Sequence, residues 1–177
     1  MNRQRAALAA AGLPLVAVLI GVLAACTPTV ALEPAADAAD PACAAVTVRL
    51  PSEIDEGDTV FAARETNAQA TGAWGDPTVV VLHCGVAQPA PTSDLPCNTV
   101  VDRTGNSIDW LVDGSADPIF TFTTYDKAPA VSVTIDYDSI GSASVLNAIS
   151  IAVSQLPENG HHCIGIEDVN PSATPAP

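Results

Sequence analysis

The residues of this chain best equipped for chemistry gather around its cysteines. His83 precedes Cys84, His161 and His162 precede Cys163, and Cys43 and Cys97 stand apart from any histidine. Thiolate and imidazole are zinc ligands. The spacing argues against zinc, however: there is no C-x-x-C and no H-E-x-x-H, and neighbouring residues on a strand point to opposite faces, so His83 and Cys84 would not share one ion. In an exported protein an even number of cysteines reads instead as disulfides, and four allow three pairings. The expected pairing is Cys84 with Cys97, because CGVAQPAPTSDLPC is a Pro-rich loop whose ends a bridge would hold together. Cys43 is then left for Cys163.

Nucleophilic hydrolysis requires a serine or cysteine beside a base. G-x-S-x-G is absent, and Thr124-x-x-Lys127 places threonine where the serine of an S-x-x-K motif would stand. His161 and His162, next to a disulfide, read as exposed loop residues rather than as a general base. Asp113, Ser115 and Asp117 have the alternate spacing of a calcium loop, but Pro118 replaces its glycine and Thr124 its final glutamate, so DGSADP reads as a turn. If the protein is an enzyme, Asp109, His83 and His161 are its acid-base candidates. Nothing here demands a cofactor or a metal, and the reading preferred is a binding or interaction module.

The elements that position these residues begin with an address. Arg3 and Arg5 precede an apolar run from Ala6 to Leu23, the order of charge and hydrophobicity in a secretory signal. Its eighteen residues would just span a bilayer as a signal anchor, an alternative weakened by Gly12, Pro14 and Gly21. The run ends in Leu23-Ala24-Ala25-Cys26, which resembles the lipobox of bacterial lipoproteins. That resemblance implies cleavage before Cys26 and attachment of a diacylglycerol to its thiol. The expected organisation is therefore a signal over 1–25, a lipidated Cys26 with a tether over 26–42, one domain over 43–169 and a loose tail over 170–177. Residues Thr27 to Pro41 hold little but Ala, Pro, Thr and Asp; extended, they would reach about 45 Å.

After Cys26 the chain has twenty acidic residues against four basic ones, a net of −16. Nucleic acids need Lys and Arg to neutralise phosphate, and anionic lipid surfaces attract basic segments. The charge thus excludes nucleic acid as a partner and leaves the membrane contact to the lipid on Cys26. A basic protein surface, such as that of an envelope protein, or a divalent cation would suit it better, and the plainer reading is that acidity keeps a tethered domain soluble.

Within the domain, Asp40-Pro41 looks like a helix cap and first helical residue, predicting a short helix over Cys43–Leu50, although Val46, Val48 and Leu50 also alternate as in a strand. TVVVLHC, from Thr78 to Cys84, predicts a strand buried on both faces, with Trp74 packed beside it and Asp76-Pro77 turning the chain. Thr104-Gly105-Asn106 separates two apolar stretches as a hairpin turn, Ile119–Tyr125 supplies another strand, and Val131, Val133, Ile135 and Tyr137 alternate with polar residues. Val145, Ile149, Ala152, Val153 and Leu156 recur at helical spacing, after Ser139 or Ser142 as cap and before Pro157. The expected fold is α+β: an antiparallel β-meander of about five strands, a C-terminal helix on one face and two disulfides.

AWGDPTVVVLHCGV, the cysteine-bounded loop after it, IDWLV and the terminal helix with its late cysteine together resemble domain of unknown function family 3515, small exported proteins and lipoproteins of actinobacteria. The resemblance covers roughly Cys43 to Cys163. It implies an exported α+β domain and no established activity.

Overall fold

The computed structural model describes residues 28–91 and 94–164. Cys26, the expected signal over 1–25 and the expected tail over 170–177 lie outside the described residues. Two helices, α1 (Pro41–Thr47) and α2 (Ser142–Val153), accompany eight strands: β1 (Glu53–Glu56), β2 (Thr59–Arg64), β3 (Thr71–Trp74), β4 (Val80–Val86), β5 (Cys97–Val101), β6 (Ser107–Ala116), β7 (Ile119–Thr124) and β8 (Ala130–Asp136). All pairings between these strands are antiparallel.

The sheet has eight strands rather than about five, because the segment before Val80 holds three more. Gly57-Asp58 makes a two-residue turn, with Gly57 at φ 59°, between β1 and β2. Gly at the first turn position is a hairpin signal. Trp74 packs beside the apolar run as expected, but as the last residue of a strand of its own: it ends β3 and pairs with Val80 across a hairpin whose connection holds Asp76-Pro77. The strand order is β1-β2-β3-β4-β8-β7-β6-β5. Two four-stranded meanders are thus joined along β4 and β8, and the Pro-rich segment after Val86 carries the chain from mid-sheet to the far edge.

That crossover overturns the expected disulfide pairing. Cys84 on β4 and Cys97 on β5 stand four strand spacings apart, about 19 Å, whereas a bridge needs Cα atoms within about 7 Å. They also point to opposite faces: Cys84 shares the side of Val80 and Leu82, while Cys97 pairs with Leu111, whose side chain opposes those of Ile108 and Trp110. The observed bridges are Cys43–Cys84 and Cys97–Cys163, both with Cα atoms 5.6 Å apart. One lies in the core and the other braces the back of the sheet.

Both helices sit on the core face. Asp40 caps α1, its carboxylate accepting the Ala42 N–H at 2.7 Å, and Pro41 occupies the first turn, so the helix begins earlier than expected and ends at Thr47. Val46 is buried but Val48 is exposed, which removes the strand alternative. α2 buries Val145, Leu146, Ile149, Ala152 and Val153 against Val80, Leu82, Val131, Val133 and Ile135. Its cap position is Gly141, with no side-chain cap, whereas Ser139 donates its hydroxyl to Asp136. α2 meets β1 and β5, the two edges, so the sheet curls around it.

The back of the sheet is open and hydroxyl-rich. Val81, His83, Ser132, Thr134, Thr121 and Thr123 share it by register, all half-buried. β4 is therefore not buried on both faces as its composition suggested.

The expected hairpin at Thr104-Gly105-Asn106 is present. Asp102 organises it, accepting N–H groups from Thr104 at 2.8 Å and Asn106 at 3.0 Å and the Thr104 hydroxyl at 2.7 Å. These bonds, the Thr104 hydroxyl foremost, hold its carboxyl below the ordinary range. DGSADP is mostly strand: β6 runs through Ala116 with a bulge after Asp113, leaving Asp117-Pro118 as the turn.

Residues 28–40 are not a free tether where they are described. Val30 bridges Thr66 in parallel, its N–H donating to the Glu65 carbonyl at 2.8 Å, and the Leu32 N–H donates to Asn67 Oδ1 at 2.7 Å. Farther on, the Asp37 N–H donates to the Gly85 carbonyl at 2.9 Å, and Ala38 is buried. Gly85, at φ 90°, is required here, because a Cβ would run into the Asp37 backbone.

Candidate functional site

The sheet register brings two of the three acid-base candidates into one recess. Asp109 lies on β6, His161 and His162 follow α2, and with Ser107, Asp126 and Glu158 they line a hollow of about 260 Å³. His83 is elsewhere, on the open face of β4 opposite Thr71 and Ser132.

Carboxylates and imidazole in one hollow are the raw material of acid-base catalysis, but the hydrogen bonds give the carboxylates other work. Asp109 accepts the Thr99 hydroxyl at 2.6 Å through Oδ1 and the Cys163 N–H at 2.7 Å through Oδ2. Asp126 accepts the Asp109 N–H at 3.2 Å and pairs with Lys127 Nζ at 3.0 Å. Lys127 reaches Glu158 at 3.4 Å, and the two residues form a backbone bridge. Asn159 completes the network, its side-chain amide donating to the Tyr125 carbonyl at 3.0 Å while its Oδ1 accepts the His161 N–H at 2.8 Å. The His161 ring lies against Tyr125 at a tilt of 32°, with centroids 5.0 Å apart. Its Nδ1 is buried and has no partner among the described residues.

The whole arrangement is a latch. It fastens the segment after α2 to β6 and to the β7–β8 connection, and the Cys97–Cys163 bridge closes it. Burial pushes the Asp126 carboxyl above the ordinary carboxylate range, and Lys127 pulls it back. A buried ion pair of this kind is costly to break, since the remaining charge is left without compensation.

The other sequence candidates have structural roles. Thr124 is fully buried and its hydroxyl accepts the Val131 N–H at 2.9 Å, so Thr124-x-x-Lys127 is a sheet terminus rather than a nucleophile and base. Asp113 accepts the Ser115 N–H at 2.9 Å within the bulged strand. Among the described residues no three His, Cys, Asp or Glu side chains gather as metal ligands would. The residues missed by sequence reasoning are Asp126, Glu158 and Asn159, which became partners only when the chain after α2 returned to the sheet. A signal for Lys127 was present: it is the sole lysine of the chain.

Lys127 is only 3% exposed, which makes a chemical prediction. A water-soluble amine-acylating ester should leave Lys127 unmodified in the native domain and acylate it after reduction and denaturation, with at least about tenfold protection, since acylation then requires opening of the domain. Peptide mass mapping reads the result. Stoichiometric native acylation would show that the ion pair does not hold.

A family profile described as protein of unknown function (DUF3515) matches residues 6–160. The chain belongs to that family. Comparison with curated proteins and with solved structures returns no match.

Proposed function

We propose, taking that membership as the premise, that the protein is exported, anchored by lipid on Cys26 at the outer face of the plasma membrane, and works by binding rather than by catalysis. The observation that carries the non-catalytic part is the state of the recess. Both oxygens of Asp109 and both of Asp126 are engaged by the backbone, Thr99 and Lys127. A general base needs a lone pair directed at a substrate proton, and these are directed inward.

Support for the anchor comes from sequence. The leader, with Arg3 and Arg5 before an apolar run, ends at a cysteine, and the family match begins at residue 6, inside that run. Leader and domain are thus matched as one unit. The disulfides suit an oxidising compartment.

The test has two readouts. Cys26→Ser should move the protein from the membrane fraction to the soluble or secreted fraction, and unchanged membrane retention refutes the anchor. For binding, photo-crosslinking on cells should trap a reproducible partner. Amine crosslinkers are unsuitable because the domain's single lysine is buried. The acid-base alternative rests on His161 Nδ1, buried without a partner beside Asp109. A substrate whose turnover is abolished by His161→Ala in a folded protein would establish that alternative in place of binding.

A further inference from the structure

β1 ends the sheet, and its outer edge is unpaired among the described residues. The hairpin with β2 fixes which backbone groups that edge presents. Its two-residue turn closes on the Glu56–Thr59 pair, and farther along the Ala63 N–H donates to the Ser52 carbonyl at 2.8 Å. Bonded and unbonded pairs alternate in an antiparallel ladder, so Ser52, Ile54 and Glu56 bond to β2 while Glu53 and Asp55 turn their N–H and C=O groups outward. Neither makes a backbone bond outside the hairpin among the described residues.

A groove of about 490 Å³ runs along this edge, and of the β1 residues only Glu53 and Asp55, the two with outward backbone groups, line it. The facing wall is α2, through Ser144, Asn147 and Ala148, and Arg103 reaches the groove from the β5–β6 hairpin at the opposite end of the strand order. The groove thus fills the gap left where the curled sheet brings both its edges to α2. From Pro51 to Asp55 the edge offers about 13 Å, room for about four extended residues. Charge selects among possible occupants. Acids on an edge strand ordinarily guard it against pairing, and a second copy laid on β1 would set Glu53 and Asp55 against the same two residues, where like charges destabilise a pair. Lys or Arg on an incoming strand would be stabilised instead. Arg103 is exposed and in no ion pair among the described residues, so its guanidinium is left for a carboxylate.

We propose that the groove between β1 and α2 is a peptide-docking site, where a basic extended segment of an envelope protein adds to the sheet beside β1, with Arg103 holding a carboxylate of that segment. Main-chain bonds to Glu53 and Asp55 supply affinity, and the flanking charges supply specificity. The inference rests on the binding reading and names the surface which that reading requires.

Titration of the full-length protein with a hexapeptide of alternating Lys and Val, its carboxyl terminus free, tests the docking. At saturation, amide exchange at Glu53 and Asp55 should slow at least about tenfold by NMR, while Ile54, already bonded to β2, changes little. N-methylating alternate peptide residues in one phase removes the donors that face β1 and should weaken binding at least about tenfold; the other phase should leave it within about threefold. Glu53→Lys with Asp55→Lys, both exposed positions, should shift the preference to the matching Glu and Val peptide. Absence of binding up to about 1 mM, equal affinity of the two methylated peptides, or a preference unmoved by the charge swap overturns the proposal. On cells, a photo-reactive residue at Asp55 should capture the partner and one at Thr123, on the open face of the sheet, should not. Capture from position 123 in preference to 55 overturns the groove while leaving the binding function standing, and capture from no surface position removes both.

Discussion

The paired substitution Cys43→Ala and Cys84→Ala is expected to destabilise the domain by about 4 kcal/mol, lowering its thermal midpoint by about 12 °C. The bridge closes a loop with a sequence separation of 41, and loop-closure entropy in the unfolded chain sets the size of the effect. The folded state also leans on it. α1 has seven residues, too few to persist as an isolated helix, and Cys43 and Val46 are the side chains it buries. Removing the bridge loosens α1 and, through Gly85 beside Cys84, the hold of the sheet on Asp37. The second bridge, with a separation of 66, is worth a similar amount on entropy alone. Its loss should nevertheless leave the core in place, because Asp109 still holds the Cys163 N–H. The two loops do not overlap in sequence, so the losses should add; together they would approach the whole stability of an ordinary domain. Thermal melts followed by circular dichroism, oxidised against paired variant, measure this. A shift below about 3 °C for the Cys43–Cys84 pair would mean that the fold does not depend on that bridge.

The sequence made some of this legible and concealed the rest for identifiable reasons. Val131, Val133 and Ile135 announce their strand because one face is buried and the other is not, and the positions of α2 announce theirs because a helix shows one stripe to a core. The hairpin at Gly57-Asp58 was marked only by its turn. Val60 and Ala62 are exposed, and Phe61 is only half-buried, so β2 lacks the alternation by which a strand is recognised. The disulfide pairing failed on topology. Proximity in sequence favoured Cys84 with Cys97, but β8, β7 and β6 lie between them, and order within a sheet is set by long-range pairing that no local pattern records. The same holds for the latch: Asp109 was visible as a carboxylate, but its bond to the Cys163 N–H spans 54 residues. The N-terminal segment was misjudged because its attachment is made through backbone hydrogen bonds, which composition does not reveal.

Trp74→Ala should cost about 3 to 5 kcal/mol through loss of core packing, and the reason can be separated into two parts by a gentler change. The indole is 1% exposed and lies over Gly72, where an added Cβ would sit 2.8 Å from the Trp74 ring and 2.8 Å from Leu50. Its Nε1 donates to the Pro51 carbonyl at 3.0 Å, tying β3 to the chain between α1 and β1. Trp74→Phe keeps much of the apolar contact but removes that donor, leaving a carbonyl unpaired at a cost of about 1 kcal/mol or more. Trp110 is the control. It is as deeply buried, yet its Nε1 has no partner among the described residues, so Trp110→Phe removes packing without removing a bond. Trp74→Phe should therefore lower stability by about 1 kcal/mol more than Trp110→Phe, as measured by urea unfolding with unchanged slope. Equal losses for the two phenylalanine variants would assign the whole role of Trp74 to its volume, and an unaltered midpoint for Trp74→Ala would place the ring outside the core.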